Sequence, residues 1–365
     1  MAPPSSPTDH HIIALQGDFI RIPQFELPPP YTSTTTIYGQ TSLSELHARI
    51  HDASILVLSA LQIDADALSP EVTPYLKLIV IVAAGTDCVD LEACRKRGIL
   101  VSNCPAANTE AVSEHAIGLY FAARRRVLRA HTLTRAGEWP RKKTLVFDCL
   151  NHDGTQPLTC QEEVAGIIGN GAVGTSSAVS MERYLLEQDR SDSISGKRIA
   201  QLARGLGMKV IIAERKLFGD ASVSSRSESD QERVTFDEVI KQSTVLFVAV
   251  PLAPSTRNLL STAEFEAMSA HAVLVNVSRG GVVDEEALVR ALQGNQITGA
   301  ATDVFAKEPA GPENSPLLAE GTEDLNLVLT PHLAWATQKT LVNYERLLKE
   351  TVERWMVGEF MNVVT

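Results

Sequence analysis

The sequence predicts an α/β protein built on a doubly wound parallel sheet of Rossmann type. Three observations predict it. Apolar runs of strand length alternate with helical stretches along most of the chain. One run, Val164–Ile168, opens directly into a glycine-rich turn, Gly169-Asn170-Gly171-Ala172-Val173-Gly174. A later run, Lys209–Ala213, ends on a carboxylate, Glu214.

Taken in order, His11–Leu15 reads as the first strand. Pro28-Pro29-Pro30 and the Ser/Thr cluster after it read as a loop. Residues 42–50 have helical periodicity, and Ser54–Leu58 is a buried strand. Leu76–Val82 follows as a strand, then a turn at Ala83–Asp87 and a strand at Ile99–Asn103. Thr109 to about Val127 reads as a long amphipathic helix capped by Asn108 or Thr109. Residues 136–161 read as irregular. Beyond Glu214, the runs Val245–Pro251, Val273–Val277 and Ala300–Val304 read as strands separated by helical sequence. Ser222–Ser229 reads as a solvated loop.

The glycines carry the first chemistry. Gly169, Gly171 and Gly174 have the G-x-G-x-x-G spacing. The first permits the tight turn, the second lets backbone approach a pyrophosphate, and the third lets helix pack on strand. The helix start offers unpaired N–H groups to phosphate oxygens. Glu214 stands where a dinucleotide site needs an acceptor for the adenosine ribose hydroxyls, and there it would repel a 2′-phosphate. Arg215 and Lys216 beside it could attract one, so NAD is expected, with NADP possible. Glu214 lies 45 residues beyond Gly169, where about 20 are expected.

Composition narrows the remaining classes. The chain has 365 residues, 44% hydrophobic and 21% charged, enough for two domains. A net charge of −11 without a basic stripe argues against a nucleic-acid partner. No apolar run is long enough for a membrane span. Five cysteines without a C-x-x-C pair are expected to be reduced thiols of a cytoplasmic protein. The N-terminal residues lack a signal pattern, so no leader is expected. No metal-ligand spacing occurs.

Three further segments complete a motif set: Asn276-Val277-Ser278-Arg279-Gly280-Gly281-Val282-Val283-Asp284, Thr302–Pro309, and Thr330-Pro331-His332-Leu333-Ala334-Trp335. With Ala84-Gly85-Thr86-Asp87 and Asn103-Cys104-Pro105, they resemble the D-isomer-specific 2-hydroxyacid dehydrogenases over about residues 55–365. Within that family, Pro-His-x-Ala-Trp resembles the glycerate dehydrogenase and hydroxypyruvate–glyoxylate reductase branch. An Arg after a strand, a Glu before Pro or a Pro-His turn is unremarkable alone; together and in this order they are not.

The resemblance implies hydride transfer between NAD(P) and a small 2-keto acid. Reduction of the keto group needs a proton donor, and His332 is the expected acid/base. Glu308 would accept from the other ring nitrogen and favour the imidazolium. Arg279 offers a planar, permanent charge for the substrate carboxylate. Backbone at Ala84 and Gly85 would bind the remaining carboxylate oxygen, and Trp335 would wall the pocket. Asp303 matches the residue that holds the nicotinamide carboxamide. Gly169, Gly171, Ala172, Val173 and Gly174 would hold the pyrophosphate. Glu214, Arg215, Val250, Pro251 and Val277 would line the rest of the dinucleotide. The resemblance also implies a homodimer and a smaller flavodoxin-like α/β substrate domain, from residues 1–107 and 332–365, beside a dinucleotide domain at 108–331. His115 and His271 read as structural, and Cys104 as packing.

One segment departs from the family. Thr175–Gly196 intervenes before the expected helix sequence Lys197–Ala203. Without these 22 residues, Glu214 would fall close to the expected distance from Gly169. Thr175–Arg190 has helical spacing, and Ser191–Gly196 reads as a break before a helix resuming near Lys197. Two alternatives accompany the enzyme reading: a corepressor-like NADH-binding protein, because Pro-His-x-Ala-Trp also resembles the C-terminal-binding corepressors, and a catalytically impaired relative, because the insertion would spoil the cofactor site.

Overall fold

A computed structural model of the chain describes residues 8–169, 190–216 and 233–365. Gly171, Ala172, Val173, Gly174 and most of the expected insertion lie outside these residues. The chain divides into two compact units. Among the described residues, one takes 8–108 and 336–365, and the other takes 109–169, 192–216 and 233–335. His332 N donates to Asp303 O at 2.7 Å, and the Leu333 and Ala334 amides donate to the Asp303 carboxylate, which ties residues 332–334 to the second unit.

The first unit holds β1 (Asp9–Ala14), β2 (Thr32–Ile37), α1 (Leu43–Ile50), β3 (Ile55–Leu58), β4 (Leu78–Ile81), α2 (Leu91–Arg97) and β5 (Leu100–Asn103). The strands form one parallel sheet in the order β2-β1-β3-β4-β5, which is the flavodoxin-like order. Strands β3 and β4 are buried along their whole length, so their sequences are unbroken apolar runs. The Ser/Thr cluster expected as a loop is instead the edge strand β2, paired with β1 from Asp9↔Thr32 to Ala14↔Ile37. Its Thr and Ile residues are β-branched and suit a half-exposed pleat. The helix Gln338–Met356 returns to this unit.

The second unit begins with α3 (Thr109–Arg124), α4 (Val127–Arg135) and α5 (Glu138–Lys142). Helix α3 stops short of the expected Val127, and Arg126 takes a left-handed φ of 47°. Part of the stretch expected to be irregular is therefore the short helix α5. Next come β6 (Val164–Ile168), α6 (Arg190–Gly205), β7 (Lys209–Ala213), β8 (Arg233–Val234), α7 (Phe236–Gln242), β9 (Val245–Val248) and α8 (Thr262–Ala267). The unit closes with β10 (Val273–Asn276), α9 (Glu285–Gln293), β11 (Gly299–Thr302) and β12 (Leu327–Leu329). Its parallel sheet has the order β12-β11-β10-β9-β6-β7-β8. The reversal at β6 is the doubly wound pattern.

Strand periodicity gives this sheet its two cores. Ala165, Ile167, Phe247 and Val275 pack with α3 and α6 on one face. Ile168, Leu246, Val248 and Leu274 pack with α7 and α9 on the other. Helix α6 shows why the expected break is absent. Ser195 stands one turn before Ile199 and two before Ala203, extending the buried stripe backwards. Ser195 is buried, and its carbonyl accepts from Ser113 Oγ on α3 at 3.3 Å. Residues 191–196 are therefore part of the helix rather than a break.

Candidate active site

The site grows from the carboxyl edge of the second sheet. Carrying the strand registers one or two residues past their last pairs puts Glu214, Gly169, Ala249, Val277, Asp303 and Thr330 in one row. Ligands of doubly wound sheets bind outside this edge, beside the strand-order reversal. The backbone at Gly169 fits such a cradle. Its φ is +112°, and an added Cβ would lie 1.9 Å from Ala249 O. Side chains are thereby excluded where backbone must come close to a ligand. Val250 and Pro251 continue the row beyond β9, and Pro251 O accepts from Thr256 Oγ1 at 2.6 Å.

Glu214 is half-buried at the end of β7, its N–H bonded to Val234 O at 2.9 Å. Arg215 is exposed. Lys216 is drawn aside: Nζ donates to Glu264 Oε1 at 2.7 Å and lies 5.0 Å from the Phe236 ring centroid.

Arg279 follows β10 in a turn knotted by Asn276. The Asn276 Nδ2 donates to Arg279 O at 3.0 Å, and its Oδ1 accepts from Ser278 Oγ at 2.7 Å. Gly280 then presses on the chain after β11, where an added Cβ would lie 1.8 Å from Phe305 C. Asp284, the last residue of that motif, caps α9 by accepting from Ala287 N at 3.0 Å.

Glu308 and His332 are in contact, with Glu308 Oε2 2.6 Å from His332 Nδ1. Phe305 N donates to the other Glu308 oxygen at 2.9 Å. Burial pushes the Glu308 carboxyl upward, but the His332 hydrogen bond and charge, the Phe305 amide and the Arg279 charge outweigh it and hold it below its ordinary value. That turn is also held from beneath. Glu285, 7% exposed, accepts from Ala306 N at 2.5 Å and from Ser315 Oγ at 2.8 Å. Sequence reasoning passed over Glu285, because an acidic residue in the first turn of a helix usually serves only the helix dipole.

His332 has a φ of +52°. Its carbonyl accepts from Trp335 Nε1 at 2.9 Å, so the indole fastens the turn that carries the histidine. The Asp303 side chain, 2% exposed, accepts from Thr330 Oγ1 at 2.6 Å, Leu333 N at 3.0 Å and Ala334 N at 2.9 Å. His115, read from sequence as structural, brings Nε2 to 3.1 Å from Thr330 Oγ1 and 3.6 Å from Asp303 Oδ1. His271 sits apart, beside Asp153 and Asn151. Ala84 and Gly85 belong to the first unit, after β4, where Asn103 Nδ2 donates to Ala84 O at 2.7 Å. Cys104 is fully buried, which pushes its thiol up to about 12, so it is a packing residue. Among the described residues no His/Cys/Asp/Glu cluster could hold a metal, and no helix is long and apolar enough to cross a membrane.

A doubly wound sheet with this row at its carboxyl edge, and a paired histidine and carboxylate nearby, defines a dinucleotide-dependent oxidoreductase. The family model "D-isomer specific 2-hydroxyacid dehydrogenase, NAD binding domain" matches residues 194–334. Glycerate dehydrogenase of Methylorubrum extorquens is 32% identical over 343 residues, covering 93% of this chain and 94% of the relative. Glyoxylate reductase of Aeropyrum pernix is 32% identical over 91% of this chain and 85% of its own. The NADPH-dependent glyoxylate/hydroxypyruvate reductase of Sinorhizobium meliloti, solved with NADP and malonate, shares the fold. Its TM-score is 0.70 at 24% identity, over 98% of this chain and 97% of that one. The chain belongs to the D-isomer-specific 2-hydroxyacid dehydrogenase family. It is an NAD(P)-dependent oxidoreductase acting on CH–OH donors, and the corepressor-like alternative is not favoured.

Proposed function

We propose that this enzyme reduces a small 2-keto acid of the hydroxypyruvate or glyoxylate type to its D-2-hydroxy acid. The contact between Glu308 and His332, 2.6 Å, carries the reading. Glu308 holds Nδ1 and so leaves Nε2 to face the reacting oxygen. His332 gives its proton to the carbonyl oxygen in reduction and takes it back in oxidation. Arg279 binds the substrate carboxylate, with Trp335 as a wall. The chemistry that a bound nicotinamide dinucleotide supplies is the hydride. Gly169, Val250, Pro251, Val277 and Asp303, with the residues that follow Gly169, would hold that group, and Glu214 would accept from its ribose hydroxyls.

The pairing of Lys216 with Glu264 supports a preference for NADH, since of the two cations beside Glu214 it leaves Arg215 to meet a 2′-phosphate. The enzyme is proposed to be a homodimer. Support comes from the exposed apolar side chains Val127, Leu128, Trp139, Val146 and Phe147, all between residues 127 and 147. Five cysteines outside any disulfide, three of them buried, support a reducing, cytoplasmic setting. Consumption of NADH with hydroxypyruvate, glyoxylate and pyruvate, repeated with NADPH, tests the reading. Turnover of the first two above pyruvate, with higher kcat/KM for NADH, is expected. Inactivity with all three overturns the substrate class, and a clear NADPH preference overturns the cofactor assignment.

A further inference from the structure

We propose that Thr330 and His115 act with Asp303 as a hydrogen-bonded relay that positions His332. The proposal rests on the acid/base reading of that histidine. The directions of the bonds are chemically determined. The Asp303 carboxylate only accepts, so the Thr330 hydroxyl, 2.6 Å away, spends its single proton on it. The same hydroxyl can then only accept from His115, 3.1 Å away, which places the His115 proton on Nε2.

The relay ends on the turn that matters. Asp303 receives the amides of Leu333 and Ala334, the two residues after His332, and its own carbonyl receives the His332 amide at 2.7 Å. His332 is thus bracketed by one residue while it holds a φ of +52°. A non-glycine residue keeps that conformation only where its surroundings over-determine it. The Asp303 side chain is almost fully buried, and three of its donors, Thr330 Oγ1 and the Leu333 and Ala334 amides, come from inside the protein. Removing the Thr330 hydroxyl takes one donor from the carboxylate and the acceptor from His115. The turn can then relax, and the imidazole leaves the place where proton transfer is aligned. Displacement on the scale of an ångström costs rate rather than ground-state affinity.

The test compares T330V, T330S, H115A, the double variant T330V/H115A and H332A in the full chain. Steady-state kinetics are measured beside NADH titration by fluorescence, with circular dichroism as the folding control. We expect T330V to lose about 10- to 100-fold in kcat, with KM for the keto acid and Kd for NADH unchanged. T330S, which keeps the hydroxyl, should recover most of the loss. H115A should lose kcat alone, and the double variant should be no worse than T330V, because both break one chain of bonds. Parent-like kcat in T330V beside an inactive H332A overturns the relay alone. So does a T330S variant as impaired as T330V, or a loss that falls wholly in KM or Kd. Near-parent turnover in H332A overturns the acid/base reading and the relay with it. If T330V does not fold, H115A decides: parent-like kcat there overturns the proposal.

Discussion

Gly169 and Glu308 do opposite things at the site, one by lacking a side chain and one by placing its own. An alanine at 169 would need its Cβ 1.9 Å from Ala249 O, at a φ of +112°. Backbone must move to admit it. G169A should lose about 1–3 kcal/mol of stability and weaken NADH binding. Thermal melts and fluorescence titration check this, and parent values for both would remove the residue from the cradle. Glu308 gives a pH-dependent signature. Burial alone would raise its folded pKa, but the His332 hydrogen bond and charge, with the Phe305 amide and Arg279, outweigh it and hold it below its ordinary value. A depressed carboxyl stabilises the fold above its unfolded value, and the benefit fades as pH falls through the folded value. The melting temperature of the parent should therefore drop more steeply than that of E308Q as pH falls below about 4.5. Parallel slopes would show that Glu308 and His332 are not coupled in solution.

Strands of this chain were legible because burial on both faces leaves nothing but apolar residues in β3, β4 and β9. The edge strand β2 was not, since its solvated Thr-rich sequence carries no core pattern. The start of α6 was hidden for a different reason. Ser195 and Gly196 look like breakers by propensity, yet Ser195 is buried and its carbonyl accepts from Ser113 Oγ on α3. At the site, Glu308, Arg279 and His332 were legible as motif residues. His115 was not, because its partner Thr330 is 215 residues away and no local pattern links them. At the opposite, amino edge of the sheet, α3 is anchored by Arg124 against Glu163, both side chains fully buried. Thr244 Oγ1 and Tyr120 OH also donate to that carboxylate. E163A would leave the guanidinium without its counter-charge and should cost about 3–5 kcal/mol. Because Glu163 precedes β6, KM for NADH should stay unchanged at temperatures where the variant is folded. A shift in KM without loss of stability would contradict this division between anchor and site.

At the scale of the whole molecule, charge and apolar surface oppose each other. A net charge of −11 makes two copies repel, so association must draw on apolar burial. The side chains available for it are Trp139 at 58% and Phe147 at 76% exposure, with Val127, Leu128 and Val146 about half exposed. They come from α4, α5 and the turn Val146–Cys149, which pack along one stretch of chain. Exposed large apolar side chains gathered on neighbouring elements are candidates for an interaction site. A homodimer built on it should have a distinctive salt response. Screening weakens the repulsion between copies and leaves apolar burial intact, so association should hold or tighten as salt rises. Light scattering should give twice the chain mass for the parent at low and high salt. The double variant W139E/F147E should give one chain mass with unchanged circular dichroism, because neither side chain supports the core. A parent that is monomeric at micromolar concentration, or a charged variant that still dimerises, would rule out this surface as the interface.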